Sequence, residues 1–65
     1  MNPQIGWFVK ISRENENFWL EVLAIEGQIV TGRVDNILAD THELSYNDVV
    51  EFEMSEIIDI HPRLH

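Results

Sequence analysis

Cysteine is absent from the chain, so no disulfide can stabilise the fold. At 65 residues the chain forms one domain at most, and a chain of this size buries only roughly 60% of the surface that it exposes when unfolded. We therefore expect a free energy of unfolding of about 3–5 kcal/mol, with self-association as one way to bury more surface. A protein without cysteine is also compatible with a reducing cytoplasm, which is the location that we predict.

Long apolar runs are missing as well. The uncharged apolar runs span only a few residues, whereas a membrane helix needs ~20. The first four residues carry no positive side chain of the kind that opens a signal peptide. We predict a soluble cytoplasmic protein with a single domain over residues 1–65, in which residues 61–65 form a frayed tail.

Basic residues are few, with four Lys and Arg against twelve Asp and Glu, and the formal charge is -8. Residues 1–33 are nearly neutral, so the imbalance comes from the stretch 34–62, which has no Lys or Arg. Its eight acids are Asp35, Asp40, Glu43, Asp48, Glu51, Glu53, Glu56 and Asp59. Charge of one sign over half a chain repels nucleic acid and membrane phosphate and attracts basic partners. The predicted partner is therefore a basic protein surface, such as that of a nucleic-acid-binding protein.

Apolar residues recur with a period of two, which is typical of β-strands. The pattern predicts strands over 5–11, 18–25, 29–34, 49–54 and 57–60, and it places Ile5, Trp7, Val9 and Ile11 on one face of the first strand. Five short strands in a chain of this length cannot stack as two full sheets, but they can roll around one core. We predict an all-β fold, either a small five-stranded, strongly bent antiparallel sheet or an SH3-like barrel.

Individual residues mark where this sheet bends and turns. The alternation slips near Leu23, which indicates a bulge or a strong bend, and Gly32 inside a strand indicates a bend or a close backbone approach. The sequence around Gly27 is a hairpin signal. Asn47 is the candidate for a positive φ, and residues 55–56 for a 3₁₀ turn. The irregular segment 36–45 is the candidate binding loop.

A family resemblance follows from the order and spacing of a few motifs. They are an aromatic followed by tryptophan, a glycine in the next strand with an asparagine soon after it, and a turn with a closing strand: Phe18-Trp19-Leu20-Glu21-Val22, Thr31-Gly32-Arg33-Val34-Asp35-Asn36, and Tyr46-Asn47-Asp48-Val49-Val50-Glu51-Phe52 with Glu56-Ile57-Ile58-Asp59. Over about residues 6–59 the chain resembles the small bacterial YegJ-like domain of unknown function. That family commonly has glycine where this chain has Asn47, and an aromatic where it has Ile60. The resemblance implies a compact β-rich fold and no particular activity.

The acidic stretch has two interpretations, a solvated face that keeps a small protein soluble or a docking surface. Glu51 and Glu53 share one face of a predicted strand, about 7 Å apart, which is close to the phosphate repeat of a nucleic acid strand. If Phe18 and Leu20 face the core, Trp19 faces outward and becomes a candidate anchor for a partner. The candidate partner-binding residues are Asp35, Asp40, Glu43, Asp48, Glu51, Glu53 and Trp19.

Other chemistries lack a matching pattern. Catalytic carboxylates need a cleft that perturbs them, and a domain of this size has little room for one. The histidines form no compact ligand set in the sequence: His42, His61 and His65. The three glycines are isolated, so none builds a phosphate-binding loop. We predict no enzyme activity, no cofactor and no metal site.

Two functions remain. The first is an interaction module that binds and blocks a basic site on a partner protein, of the inhibitor, immunity or counter-defence type found in bacteria and phages. That type is an analogy from size and charge. The second is a self-associating structural module, a homodimer formed through an exposed strand edge, in which the acids serve only solubility.

Overall fold

One five-stranded antiparallel sheet forms the fold in a computed structural model, which describes residues 2–13, 15–35 and 47–62. The strands are β1 (Phe8–Arg13), β2 (Glu16–Glu26), β3 (Ile29–Val34), β4 (Val49–Glu53) and β5 (Ile57–His61), with a 3₁₀ turn, η1 (Met54–Glu56), between the last two. Their order across the sheet is β4-β3-β2-β1-β5. The predicted all-β fold with five antiparallel strands is confirmed, as is the predicted 3₁₀ turn. The segment 36–45, with Asp40 and Glu43, lies outside the described residues.

The long central strand β2 is shared between two partners. Its first half pairs with β1, from Glu16 to Glu21, and its second half pairs with β3, from Leu20 to Glu26. Between Val22 and Ala24 the register with β3 shifts, which leaves Leu23 as the extra residue. An extra residue bends a strand and increases its twist, so the bulge predicted near Leu23 is confirmed and lies where β2 passes from one partner to the other.

The sheet is open. Strands β4 and β5 are its two edges, and within the described ranges they are joined through η1 with no ladder between them. Of the two predicted forms, the described residues therefore show a sheet and not a closed barrel. The sheet is still not flat, because Arg13 at the end of β1 donates a hydrogen bond to the Glu51 carbonyl on β4, with 3.2 Å between Nη2 and O. Three strand spacings of about 4.8 Å separate β1 from β4 in a flat sheet, further than an arginine side chain extends.

The core lies on one face of the sheet. Alternate residues of the strands are buried there, and their solvent exposure is 2% or less: Val9, Ile11, Phe18, Leu20, Val22, Val30, Val34 and Phe52. Half-buried apolar residues from β2, β4, η1 and β5 pack against them: Ile25, Val50, Met54, Ile57 and Ile60. Residues from both edge strands thus contact the same cluster, so this core is formed by side chains of a single sheet and of η1.

Strand β1 begins later than the alternation predicts. We expected Ile5 and Trp7 on the same face as Val9, but Gly6 has a φ of 92° and Ile5 is 66% exposed. Trp7 is half-buried, and its carbonyl accepts a hydrogen bond from the Val22 N–H. The positive φ of Gly6 turns the chain before the strand, so the alternation of side chains is broken at that point.

Strand β5 ends later than predicted. His61, which we placed in the frayed tail, belongs to β5 and pairs with Phe8 of β1.

The predicted turn residues behave as expected, since Gly27 has a φ of 63° and Asn47 a φ of 75°. Asn15, between β1 and β2, also adopts a positive φ of 66°.

Gly32 leaves room for two core side chains. A Cβ at this position would lie 3.0 Å from the Leu20 Cβ, 3.0 Å from Cε1 of Phe52 and 3.3 Å from the Glu21 carbonyl oxygen. The close approach predicted at Gly32 is therefore confirmed.

Substitution Gly32→Ala should lower the free energy of unfolding by about 1–3 kcal/mol, because Leu20 and Phe52 would both have to move. Urea unfolding followed by tryptophan fluorescence measures this loss. The matched control is Gly27→Asn, since a Cβ there would meet nothing within 4 Å and asparagine tolerates a positive φ. An unfolding midpoint for Gly32→Ala equal to that of the wild type would contradict the assigned packing.

Candidate protein-interaction surface

The acids of β4 lie on the face of the sheet opposite to the core. Phe52 is buried between Glu51 and Glu53, so both carboxylates point outward, and both residues are exposed. Glu51 lies opposite Thr31 of β3, and Glu53 lies opposite Ile29. The structure therefore confirms that Glu51 and Glu53 share one strand face.

A third acid, which is not among the predicted partner-binding residues, joins them. Glu26 of β2 pairs with Ile29, so Ile29 lies between Glu26 on one neighbouring strand and Glu53 on the other. Glu26 is exposed, and Ile29 is 40% exposed. We call this group, Glu26, Ile29, Glu51 and Glu53, the β4 acidic surface. The Gly27 hairpin was the signal that could have revealed Glu26, because a tight turn places its flanking residues opposite each other.

Asp35 and Asp48 lie at the other end of β3 and β4. The Val34 N–H donates to the Asp48 carbonyl at 2.8 Å, and the Asp35 N–H donates to the Trp19 carbonyl at 2.8 Å. Both residues are exposed. Between them and the β4 acidic surface lies Arg33, which forms an ion pair with Glu21. The structure thus separates the predicted acids into two groups instead of one patch.

Glu56 has a structural position. Its Oε1 accepts from Nη2 of Arg13 at 3.3 Å, and its Oε2 accepts from the Glu53 backbone N–H at 2.9 Å. The same arginine reaches the Glu51 carbonyl. Glu56 therefore ties β1, β4 and η1 together, and an acid from the charged half of the chain is paired with a base from the neutral half.

Trp19 lines a concavity on the outer face. Its neighbours Phe18 and Leu20 are fully buried, and Trp19 itself is half-buried. The described residues that line the concavity of about 410 Å³ are Phe8, Trp19, Asp35 and His61. The ring centroids of Trp19 and His61 are 6.3 Å apart in an edge-to-face arrangement. Trp19 therefore faces outward as predicted, as one wall of a groove.

Lys10 packs against the same tryptophan. It pairs with Trp19 across β1 and β2, and its Nζ lies 5.4 Å from the centroid of the Trp19 ring. This is within the ~6 Å at which a cation is attracted to an aromatic face.

The remaining candidates fall in different places. Asp40, Glu43, His42 and His65 lie outside the described residues. Within 2–13, 15–35 and 47–62, no three His, Cys, Asp or Glu side chains are grouped so that they could hold a metal ion. No helix in those ranges is long and apolar enough to cross a membrane.

No protein-family model, curated protein or solved structure matches this chain. The resemblance to the YegJ-like domain stays a prediction.

Replacing Glu56 by glutamine should lower the free energy of unfolding by about 1–2 kcal/mol, because hydrogen bonds to a charged partner are stronger than neutral ones. A double-mutant cycle with Arg13→Gln, followed by urea unfolding, isolates the ion pair; we expect a coupling of about 0.5–1 kcal/mol. Asp59→Asn is the control, since Asp59 is exposed and its carboxylate accepts a hydrogen bond from the N–H of the next residue, Ile60. Equal losses in Glu56→Gln and Asp59→Asn would show that Glu56 has no special role.

Proposed function

We propose that this chain is a small acidic interaction module that binds a basic site on a partner protein and blocks it. The observation that carries the proposal is the β4 acidic surface, in which exposed Glu26 and Glu53 flank a partly exposed isoleucine and exposed Glu51 lies two residues from Glu53 on the same face of β4. An apolar centre with a polar rim is the common arrangement of a protein interface. The carboxylates determine the sign of the partner, since complementary charge increases the association rate and disfavours acidic competitors.

The bases of the described chain do not neutralise this surface. Arg13 is bound to Glu56 and to the Glu51 carbonyl, Arg33 is bound to Glu21, and Lys10 lies against Trp19. Among the described residues, therefore, no ion pair neutralises the carboxylates of Glu26, Glu51 and Glu53, in a chain whose net charge is -8.

The spacing of the carboxylates favours one class of basic partner. Glu51 and Glu53 are two residues apart on one extended strand, which places them about 7 Å from each other. This is close to the phosphate repeat of a nucleic acid strand, so the array suits a protein site that otherwise holds nucleic acid. An inhibitor, immunity or counter-defence role would follow from blocking such a site, and it rests on analogy.

Reversing the charge of both β4 acids, Glu51→Lys with Glu53→Lys, should abolish capture of the basic partner and remove the salt dependence of its release. The measurement is affinity capture from bacterial lysate with elution by rising salt and identification by mass spectrometry. The wild-type protein should release the partner at moderate salt, and the double variant should not retain it.

The matched control for charge is Asp59→Lys beside Glu51→Lys. Each substitution changes the charge by the same amount at an exposed position of an edge strand, but Asp59 lies on β5. Loss of capture in Glu51→Lys alone would support the assigned surface. Asp59 lies opposite Lys10, which packs on Trp19. Equal loss of capture in the two variants, with binding of a small cation beside Trp19 unchanged in Asp59→Lys, would contradict it, because the effect would then depend on net charge only.

Self-association is the second candidate, and the open sheet supports it. Ile58 on the edge strand β5 is 56% exposed, and Val49 on the edge strand β4 is 59% exposed. An exposed edge with an apolar side chain is able to pair with its copy.

This alternative predicts a dimer whose mass, measured by light scattering, does not change with salt, because apolar burial is not screened. Ile58→Lys should convert that dimer to a monomer. A monomeric mass for the wild-type protein at micromolar concentration would exclude it.

A further inference from the structure

Three rings and a carboxylate meet in the concavity beside Trp19. Phe8 of β1 lies opposite His61 of β5, and Trp19 of β2 lies two residues further along β1, opposite Lys10. Asp35, at the end of β3, is held next to Trp19 by its backbone N–H, which donates to the Trp19 carbonyl. We call this set, Phe8, Trp19, Asp35 and His61, the aromatic groove.

The chemistry of the lining favours a cation. The faces of aromatic rings carry partial negative charge, and they attract an ammonium or guanidinium group. Asp35 is exposed and adds a formal negative charge, and no described basic side chain forms an ion pair with it. An anion would be repelled by the carboxylate, and a neutral apolar group would gain nothing from it. The size of about 410 Å³ is sufficient for a single side chain.

Lys10 shows that the tryptophan accepts a positive charge. Its ammonium group lies 5.4 Å from the centroid of the Trp19 ring, although Lys10 is not among the described residues that line the groove. A second cation in the groove would share the ring with Lys10 and would be repelled by it. Removing the charge of Lys10 should therefore strengthen the binding of a cation and should not strengthen that of a neutral ligand.

We propose that the aromatic groove binds one cationic side chain, a lysine or arginine, of the basic partner protein. This inference rests on the proposed function for its partner class, but it uses a different set of residues from the β4 acidic surface. The groove acts as the anchor of the complex, and Asp35 and Trp19 are the residues that contact the cation.

The test is a titration with small probes followed by NMR, with the indole N–H of Trp19 as the reporter and that of Trp7 as the internal reference. The probes are N-acetyl-lysine methylamide, its Nε-trimethyl derivative, and the neutral carbon isostere of that derivative. We expect the trimethylammonium probe to shift the Trp19 signal and to bind roughly tenfold more tightly than its isostere. Equal binding of the charged and neutral probes, or no saturable shift with either cation, would overturn the proposal.

Two variants sharpen the test without removing a buried side chain. Asp35→Asn keeps the shape of the groove and should weaken the cationic probes by several-fold, with no effect on the neutral one. Lys10→Gln should strengthen the cationic probes. If either variant changed the affinities for the charged and the neutral probes by the same factor, the assigned role of charge would be contradicted. The same NMR spectra show whether each variant is still folded.

The failure of this inference is distinguishable from failure of the proposed function. The variant Glu51→Lys with Glu53→Lys should leave binding of the small cations essentially unchanged in about 0.15 M salt, because charges beyond a Debye length of about 8 Å are screened. Intact probe binding together with unaltered partner capture in that variant would refute the β4 docking surface only. Lost probe binding in Asp35→Asn with unaltered partner capture would refute the groove as the anchor.

Discussion

The close approach of β2, β3 and β4 at Gly32 is the constraint on which the rest of the structure depends. Because Gly32 has no side chain, Leu20 and Phe52 both fill the space beside it. That placement turns Phe52 into the core, and the alternation of a strand then forces its neighbours Glu51 and Glu53 outward. The acidic surface is thus a consequence of core packing, and a change at Gly32 would disturb stability and the position of these carboxylates together.

The acids of this chain are not equivalent, although the sequence presents them as one stretch. Glu56 serves the fold, since it holds Arg13 and the N–H of Glu53. Glu51 contributes its backbone carbonyl to the same arginine and leaves its carboxylate outside. The bases are used in a similar way, because Arg13 pairs with Glu56 of η1 and Arg33 pairs with Glu21 of β2. Pairing a few charges internally leaves a smaller number of carboxylates to define the surface.

The strands were predictable because the period-two pattern is a local property of the sequence. Leu23, Gly32 and Asn47 were predictable for the same reason, since each is a local departure that only certain backbone conformations accommodate. The start of β1 was not predicted, because the alternation continues through Ile5 and Trp7 while Gly6 breaks the strand. Gly6 within this alternating run indicates that the strand could be interrupted there. The sequence does not give the φ of the glycine, and that angle decides whether the strand continues.

The aromatic groove could not be predicted from local patterns. His61 lies opposite Phe8 only because β5 carries one extra residue, Ile58, between the pairs Lys10–Asp59 and Ile11–Ile57. If the pairing continued from Ile11–Ile57 without this bulge, Ile60 would lie opposite Phe8. The other face of β5 would then lie beside Phe8, since a shift of one residue exchanges the two faces of a strand. The site thus depends on the pairing of strands that are far apart in the sequence.

The two proposed surfaces share the outer side of one sheet, with the Arg33–Glu21 pair between them. The domain has principal extents of 30 × 26 × 17 Å, and one side of a standard interface covers about 800 Å². A single partner that covers such a face would therefore touch both surfaces. Exposed carboxylates act mainly on the rate of association, whereas a side chain held in a groove acts on the rate of dissociation. The β4 acidic surface would then select a basic partner on approach, and the aromatic groove would determine how long it stays.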